Sequence, residues 1–129
     1  MPETILVVDD DADNRRIMEL TLLKAGYRVV LAVNGREAVA AAERERPDMI
    51  LLDLSMPVLS GWEAVRLLKA DERLKAVPVL AFTAHAMAGD ERRVMEAGFD
   101  GYLSKPCVPR RAVEAVAAGL AARGAARRP

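Results

Sequence analysis

Carboxylates, a hydroxyl and an amine stand at the ends of four separate apolar runs. Ile5 to Val8 leads into Asp9, Asp10 and Asp11; Met49 to Leu52 into Asp53; Val77 to Phe82 into Thr83; Gly101 to Ser104 into Lys105. Gathered in one place, these acids repel one another, because like charges at short range raise each other's pKa. A hard dication offsets that repulsion, and Mg²⁺ takes a few carboxylate oxygens while keeping several waters. Beside such an ion, Asp53 is suited to attack a phosphoryl group and form an acyl phosphate. Thr83 then offers a hydrogen bond to one phosphoryl oxygen, and Lys105 neutralises another as a point charge. For Asp11 and Asp13, helix capping ahead of Arg15 and Arg16 is an equal alternative.

For these groups to meet, the four runs must be neighbouring parallel strands, which share their carboxyl-terminal edge. Segments of helical period lie between the runs, so strand and helix alternate five times, the pattern of a parallel α/β sheet covered on both faces. The spacing predicts strands near 4–9, 28–32, 48–53, 77–82 and 100–104, and helices near 13–25, 35–46, 61–71, 87–97 and 109–123. Gly26 and Gly98 suit left-handed helix ends. Asn34 with Glu37, and Ser60 with Glu63, have capping-box spacing and mark helix starts. Pro109 suits the first turn of the last helix.

A chain of 129 residues is of ordinary single-domain size, divided here into a domain over 1–123 and a C-terminal tail over 124–129. Formal net charge is zero, so no overall field draws the chain to nucleic acid or anionic lipid. No apolar stretch approaches the ~18 residues of a membrane span, and no basic segment with an apolar core opens the chain. The expectation is a cytoplasmic protein with no membrane and no direct nucleic-acid partner. Cys107 is the single cysteine; a small buried hydrophobe is its expected role rather than a redox sensor.

The runs ILVVDDD, LLDLSMP, LAFTAH and GYLSKP, in that order, resemble the receiver domain of bacterial two-component response regulators, over about residues 4 to 120. The resemblance implies a doubly wound, flavodoxin-like sheet of five parallel strands in the order 2-1-3-4-5. It implies Asp53 as phosphoacceptor, with Thr83 and Lys105 as its catalytic companions. The metal ligands would be Asp10, Asp53 and the backbone carbonyl of Ser55, with Asp9 reaching Mg²⁺ largely through water; Mn²⁺ is a substitute. Thr83 and Tyr102 form the implied switch, in which Thr83 turns to the phosphoryl oxygens and the Tyr102 ring moves inward, remodelling the surface of helix 4, strand 5 and helix 5. A cis Lys105-Pro106 bond is also implied.

Two further positions border the phosphoryl group in the family, Ser55 and His85, and are expected to tune attack by water. A surface histidine without function is an equal alternative for His85, and its protonation would make the phosphoryl lifetime pH-dependent. Partners follow from the same resemblance: a sensor histidine kinase or histidine phosphotransfer protein as donor, and an unidentified downstream protein. The chain is expected to be a monomer or a weak phosphorylation-dependent dimer. It would catalyse only its own phosphorylation and dephosphorylation. The segment from Phe82 to Pro106 looks most similar to single-domain, chemotaxis-regulator-like proteins and kinase-linked receivers.

Two other functions use comparable chemistry. A phosphatase or phosphomutase would employ Asp9 and Asp11 as a D-x-D pair, but Ala12 and Asp13 stand where a hydroxyl residue would follow. A flavin-binding module on the same sheet would want a Ser/Thr/Gly-rich loop after the first strand, where this chain has acids.

Overall fold

The computed structural model describes residues 2–54, 56, 58–83, 90–104 and 109–127. Ten elements alternate: β1 (Thr4–Val8), α1 (Ala12–Lys24), β2 (Arg28–Ala32), α2 (Gly35–Glu45), β3 (Met49–Asp53), α3 (Gly61–Ala70), β4 (Val79–Thr83), α4 (Asp90–Glu96), β5 (Gly101–Ser104) and α5 (Pro109–Arg127). The strands form one parallel sheet in the order β2-β1-β3-β4-β5. Both the fold class and the strand order agree with the expectation from sequence.

Central strands buried on both faces are apolar along nearly all of their length, and β1, β3 and β4 are buried throughout, with polar residues only at their ends. Alternation divides their side chains between two cores. Leu6, Val8, Ile50, Leu52, Val79 and Ala81 pack under α2, α3 and α4, against Ala38, Ala42, Ala64, Val65, Leu68 and Val94. Ile5, Val7, Met49, Leu51, Leu80 and Phe82 pack under α1 and α5, against Met18, Leu22, Ala112 and Val116. Each fully buried Leu or Ile contributes about 1.5–3 kcal/mol relative to exposure, so the strand ends are held by a dry layer on either side.

The helix boundaries follow local chemistry. Asp11 caps α1, accepting from the amides of Asp13 at 2.9 Å and Asn14 at 3.1 Å. Ser60 and Glu63 form a reciprocal capping box at the start of α3. At α2 the expected box is displaced by one residue: Asn34 accepts from the Glu37 amide at 2.9 Å, but the Glu37 carboxylate accepts from Val33, at 3.1 Å. Gly26 and Gly98 occupy the left-handed region at φ 97° and 111°, where a Cβ is penalised.

Two boundaries differ from the sequence reading by more than one residue. β4 begins at Val79 rather than residue 77, because the Val77 amide closes a turn onto the Leu74 carbonyl at 2.9 Å. Pro78 has no amide to give to a ladder; its carbonyl accepts from Ile50 at 3.0 Å. α5 continues past residue 123 to Arg127, and the expected start of the fourth helix at residue 87 lies outside the described residues.

Candidate functional site

Register places the acids. Val8 of β1 lies opposite Leu52 of β3, so the residues that follow, Asp9 and Asp53, emerge side by side at the carboxyl-terminal edge. Asp53 in turn pairs with Phe82 of β4, which sets Thr83 one step beyond it, and Thr83 pairs with Ser104 of β5. Asp9 and Asp53 share the strand face that carries Val7, Leu51 and Phe82, whereas Thr83 and Tyr102 share the opposite face with Ala81 and the α2–α4 core.

One carboxylate oxygen each from Asp9, Asp10 and Asp53 lies within 4.8 Å of the other two. Asp9 and Asp53 are buried, at 2% and 7% exposure, and Thr83 is buried at 2%; Asp10 stands exposed at the mouth. Two buried carboxylates side by side are costly without a compensating cation.

The turn that carries Asp9 is stiff. Its Oδ1 accepts from the Asp11 amide at 3.0 Å, its amide reaches the Ala32 carbonyl at 3.2 Å, and its own carbonyl accepts from Arg15 Nη1 at 2.8 Å. Arg15 was visible in the sequence only as a charge on α1. Its position in the first turn, where helical side chains lean back towards the N-terminus, is the signal that it reaches the strand end.

Gly61 is the other residue that motif reading undervalues. Its amide donates to the Leu54 carbonyl at 3.0 Å, and a Cβ at this position would collide with the Asp53 carbonyl oxygen and lie 2.8 Å from Leu54 Cα. The loop from Asp53 to α3 is thereby closed at its base. Within it, Val58 is held at φ 72°, and the neighbouring Leu59 carbonyl accepts from the Gly35 amide at 3.1 Å.

Of the remaining expected residues, Tyr102 is partly buried and packs against the α2–α4 core. Ser55, His85 and Lys105, together with the Lys105-Pro106 bond and Cys107, lie outside the described residues.

The donor set fits a small hard dication. All three side chains offer oxygen, the donor that Mg²⁺ prefers, and their spacing lets the ion take some of them directly and others through its retained waters. Among the described residues, no other group of three His, Cys, Asp or Glu side chains converges in this way.

An open doubly wound sheet with acids at its carboxyl edge defines a phosphoryl-signalling module, and the chain belongs to the response regulator receiver domain family, which it matches over residues 5–117. It is 38% identical over 116 residues to the polar-differentiation response regulator DivK of Brucella anthropi, covering 90% of this chain and 94% of that protein. DivK of Brucella ovis is 36% identical over the same shares. Among solved structures, chemotaxis protein CheY4 of Vibrio cholerae superimposes with a TM-score of 0.87 at 32% identity, covering 92% and 98% of the two chains. The receiver domain of sensor histidine kinase PA1611 from Pseudomonas aeruginosa PAO1 does so with a TM-score of 0.87 at 37% identity, covering 94% and 99%. That structure holds a magnesium ion in its active-site cleft.

The protein is therefore a receiver domain of two-component signalling with an Asp9, Asp10 and Asp53 acidic cluster. The family is a signalling module rather than a classical enzyme, and it works with histidine kinases and downstream targets. No helix among the described residues is long and apolar enough to cross a membrane.

Proposed function

We propose that Asp53 accepts a phosphoryl group from a phosphohistidine of a sensor kinase or phosphotransfer protein, and that the phosphorylated chain passes its state on by protein contact. The observation that carries this reading is the meeting of the Asp9, Asp10 and Asp53 carboxylates at the ends of β1 and β3. Asp10, Asp53 and the Ser55 carbonyl would hold Mg²⁺, Asp9 would act on it through water, and Mn²⁺ would substitute. When bound, the ion neutralises the acids and the charge developing on the transferred phosphoryl oxygens.

The chain's own residues do the rest. An Asp53 carboxylate oxygen attacks phosphorus, the bond from phosphorus to the histidine nitrogen breaks, and the neutral imidazole leaves with the electron pair. Asp9, fixed by the Asp11 amide and the Arg15 contact, keeps its orientation during transfer. The Thr83 hydroxyl donates to one phosphoryl oxygen and the Lys105 ammonium pairs with another. Ser55 and His85, bordering the group by their place in the sequence, set how readily water hydrolyses it.

Phosphorylation biases an equilibrium between two arrangements, and the shift is limited by how much better the phosphoryl group fits one of them. Thr83 and Tyr102 lie on one face of neighbouring strands, which supports a switch in which movement of the hydroxyl makes room for the ring. The output surface would be that of α4, β5 and α5.

Incubation with acetyl phosphate and Mg²⁺, followed by peptide mapping, tests the reading. The adduct is expected on Asp53, absent in Asp53→Asn and absent when the metal is chelated. An adduct on Asp9 instead would favour the D-x-D phosphatase alternative and overturn this one.

A further inference from the structure

Two routes lead away from Asp53 and Thr83 and meet again between α3 and α4. On the first, β3 ends at Asp53 and α3 is fastened to that end by backbone alone, through the 3.0 Å bond from Gly61 to the Leu54 carbonyl and the close approach of Gly61 to the Asp53 carbonyl. The next residue is Trp62. On the second route, β4 ends at Thr83 and α4 begins at Asp90.

The routes rejoin at the indole. The Arg93 guanidinium carbon lies 5.3 Å from the centre of the Trp62 ring, and Phe99, just beyond α4, meets that ring with centroids 6.0 Å apart and planes at 85°. A cation over an indole is the strongest of the cation–aromatic pairings.

Among the described residues, α3 is fastened at its N-terminal end and α4 at its C-terminal end. α3 cannot move relative to Asp53 without breaking backbone contacts. α4 is seven residues long, and Val94 is the one buried side chain among residues 91–96. Its C-terminal end is tied down, because the Phe99 amide reaches the Val94 carbonyl at 3.3 Å and the Asp100 amide reaches Val79 at 2.8 Å. Arg93, midway along the described helix, ties α4 to the helix that is fastened to Asp53.

We propose that Arg93 is a positioning residue of the switch: its contact with Trp62 holds α4 in the resting arrangement, and modification at Asp53 is relayed to α4 by loosening that contact. This rests on Asp53 being the phosphoacceptor. Loss of an exposed cation–π contact shifts a two-state equilibrium about two- to five-fold, so removing it favours the arrangement that phosphorylation captures.

Trp62 is the single tryptophan of the chain, which makes its emission a direct reading of the contact. The wild-type protein, Arg93→Gln and Arg93→Lys are each treated with acetyl phosphate and Mg²⁺, with Asp53 labelling followed by intact mass and Trp62 by fluorescence. Labelling is expected to change emission in the wild type and in Arg93→Lys, which keeps a cation. Arg93→Gln is expected to begin with the emission of labelled wild type, to show no further change, and to be labelled about two- to five-fold faster.

A labelled wild type with unmoved emission, or an Arg93→Gln variant that responds as the wild type does, overturns the latch and leaves the phosphoacceptor reading standing. Failure of every variant to take label overturns the phosphoacceptor reading, and the latch with it.

Discussion

Gly61 lies against the carbonyl of Asp53 with no space for even a methyl group between them. The colliding atoms are main chain and cannot rotate away, so Gly61→Ala must displace either α3 or the end of β3. Strain of this kind costs about 1–3 kcal/mol, and the displaced strand end carries Asp53. We expect a lower urea midpoint together with slower labelling by acetyl phosphate; a variant as stable and as reactive as the wild type would contradict the close approach.

Mg²⁺ is expected to stabilise the folded chain, because only the fold gathers Asp9, Asp10 and Asp53. At a hundredfold excess over its dissociation constant the gain is about 2.7 kcal/mol. Asp10→Asn and Asp53→Asn should lose most of that increment. Urea melts with and without Mg²⁺ read all of these, and a wild-type midpoint indifferent to the ion would refute the cation site.

Val58 sits at φ 72° with 68% of its surface exposed. A left-handed backbone costs an L-residue about 1–2 kcal/mol, and little packing offsets it here. Glycine removes the strain but adds about 0.5–1 kcal/mol of unfolded-chain entropy. Val58→Gly should therefore raise stability by about 0.5–1 kcal/mol, seen as a higher urea midpoint at unchanged slope.

Lys69 ties three segments together. Its Nζ donates to the carbonyls of Lys75 at 3.1 Å and Val77 at 3.0 Å and pairs with Asp100 Oδ2 at 2.7 Å, an oxygen that also accepts from the Val79 amide at 2.9 Å. Lys69→Met keeps the stem but removes the donor from these partly solvated acceptors, at a cost of about 0.5–1.5 kcal/mol. Because Asp100 joins the end of α4 to β4, amide exchange should accelerate around residues 97–100 and at Val79. Unchanged exchange there would show that the ammonium does not hold the junction.

Tyr27 responds to alkali. Burial first, and then the Glu3 carboxylate, push its phenol above the ordinary 10.0. The folded chain thus keeps a proton that the unfolded chain releases, so the stabilising effect is whole below pH 10 and is lost as pH climbs through the raised value. Tyr27→Phe should flatten the loss of stability in urea midpoints measured between about pH 9 and 12.

Much of this architecture can be read from the chain alone because buried parallel strands leave an unbroken apolar signature, and a charged residue closing such a run can only sit at its open end. That logic places Asp9, Asp53 and Thr83. It fails where tertiary contacts decide: Val77 is as apolar as a strand residue, yet the turn from Leu74 and the carbonyl bond from Lys69 draw it out of β4. Glu37 accepts from Val33 instead of Asn34, a displacement by one residue that capping-box spacing does not reveal. The roles of Arg15 and Gly61 depend on which main-chain atoms they meet across the fold; the first-turn position of Arg15 hints at its contact, whereas nothing in composition or spacing marks that of Gly61.

The division of side chains between the two faces of the sheet has a further meaning. Asp9 and Asp53 have the parity of the α1–α5 layer, whereas Thr83 and Tyr102 have that of the α2–α4 layer. On the proposed reading, the message crosses the thickness of a single β-layer. The acceptor and its relay are then set on opposite sides of one wall, and the α4, β5 and α5 surface, with α5 in the first layer and α4 in the second, reaches both.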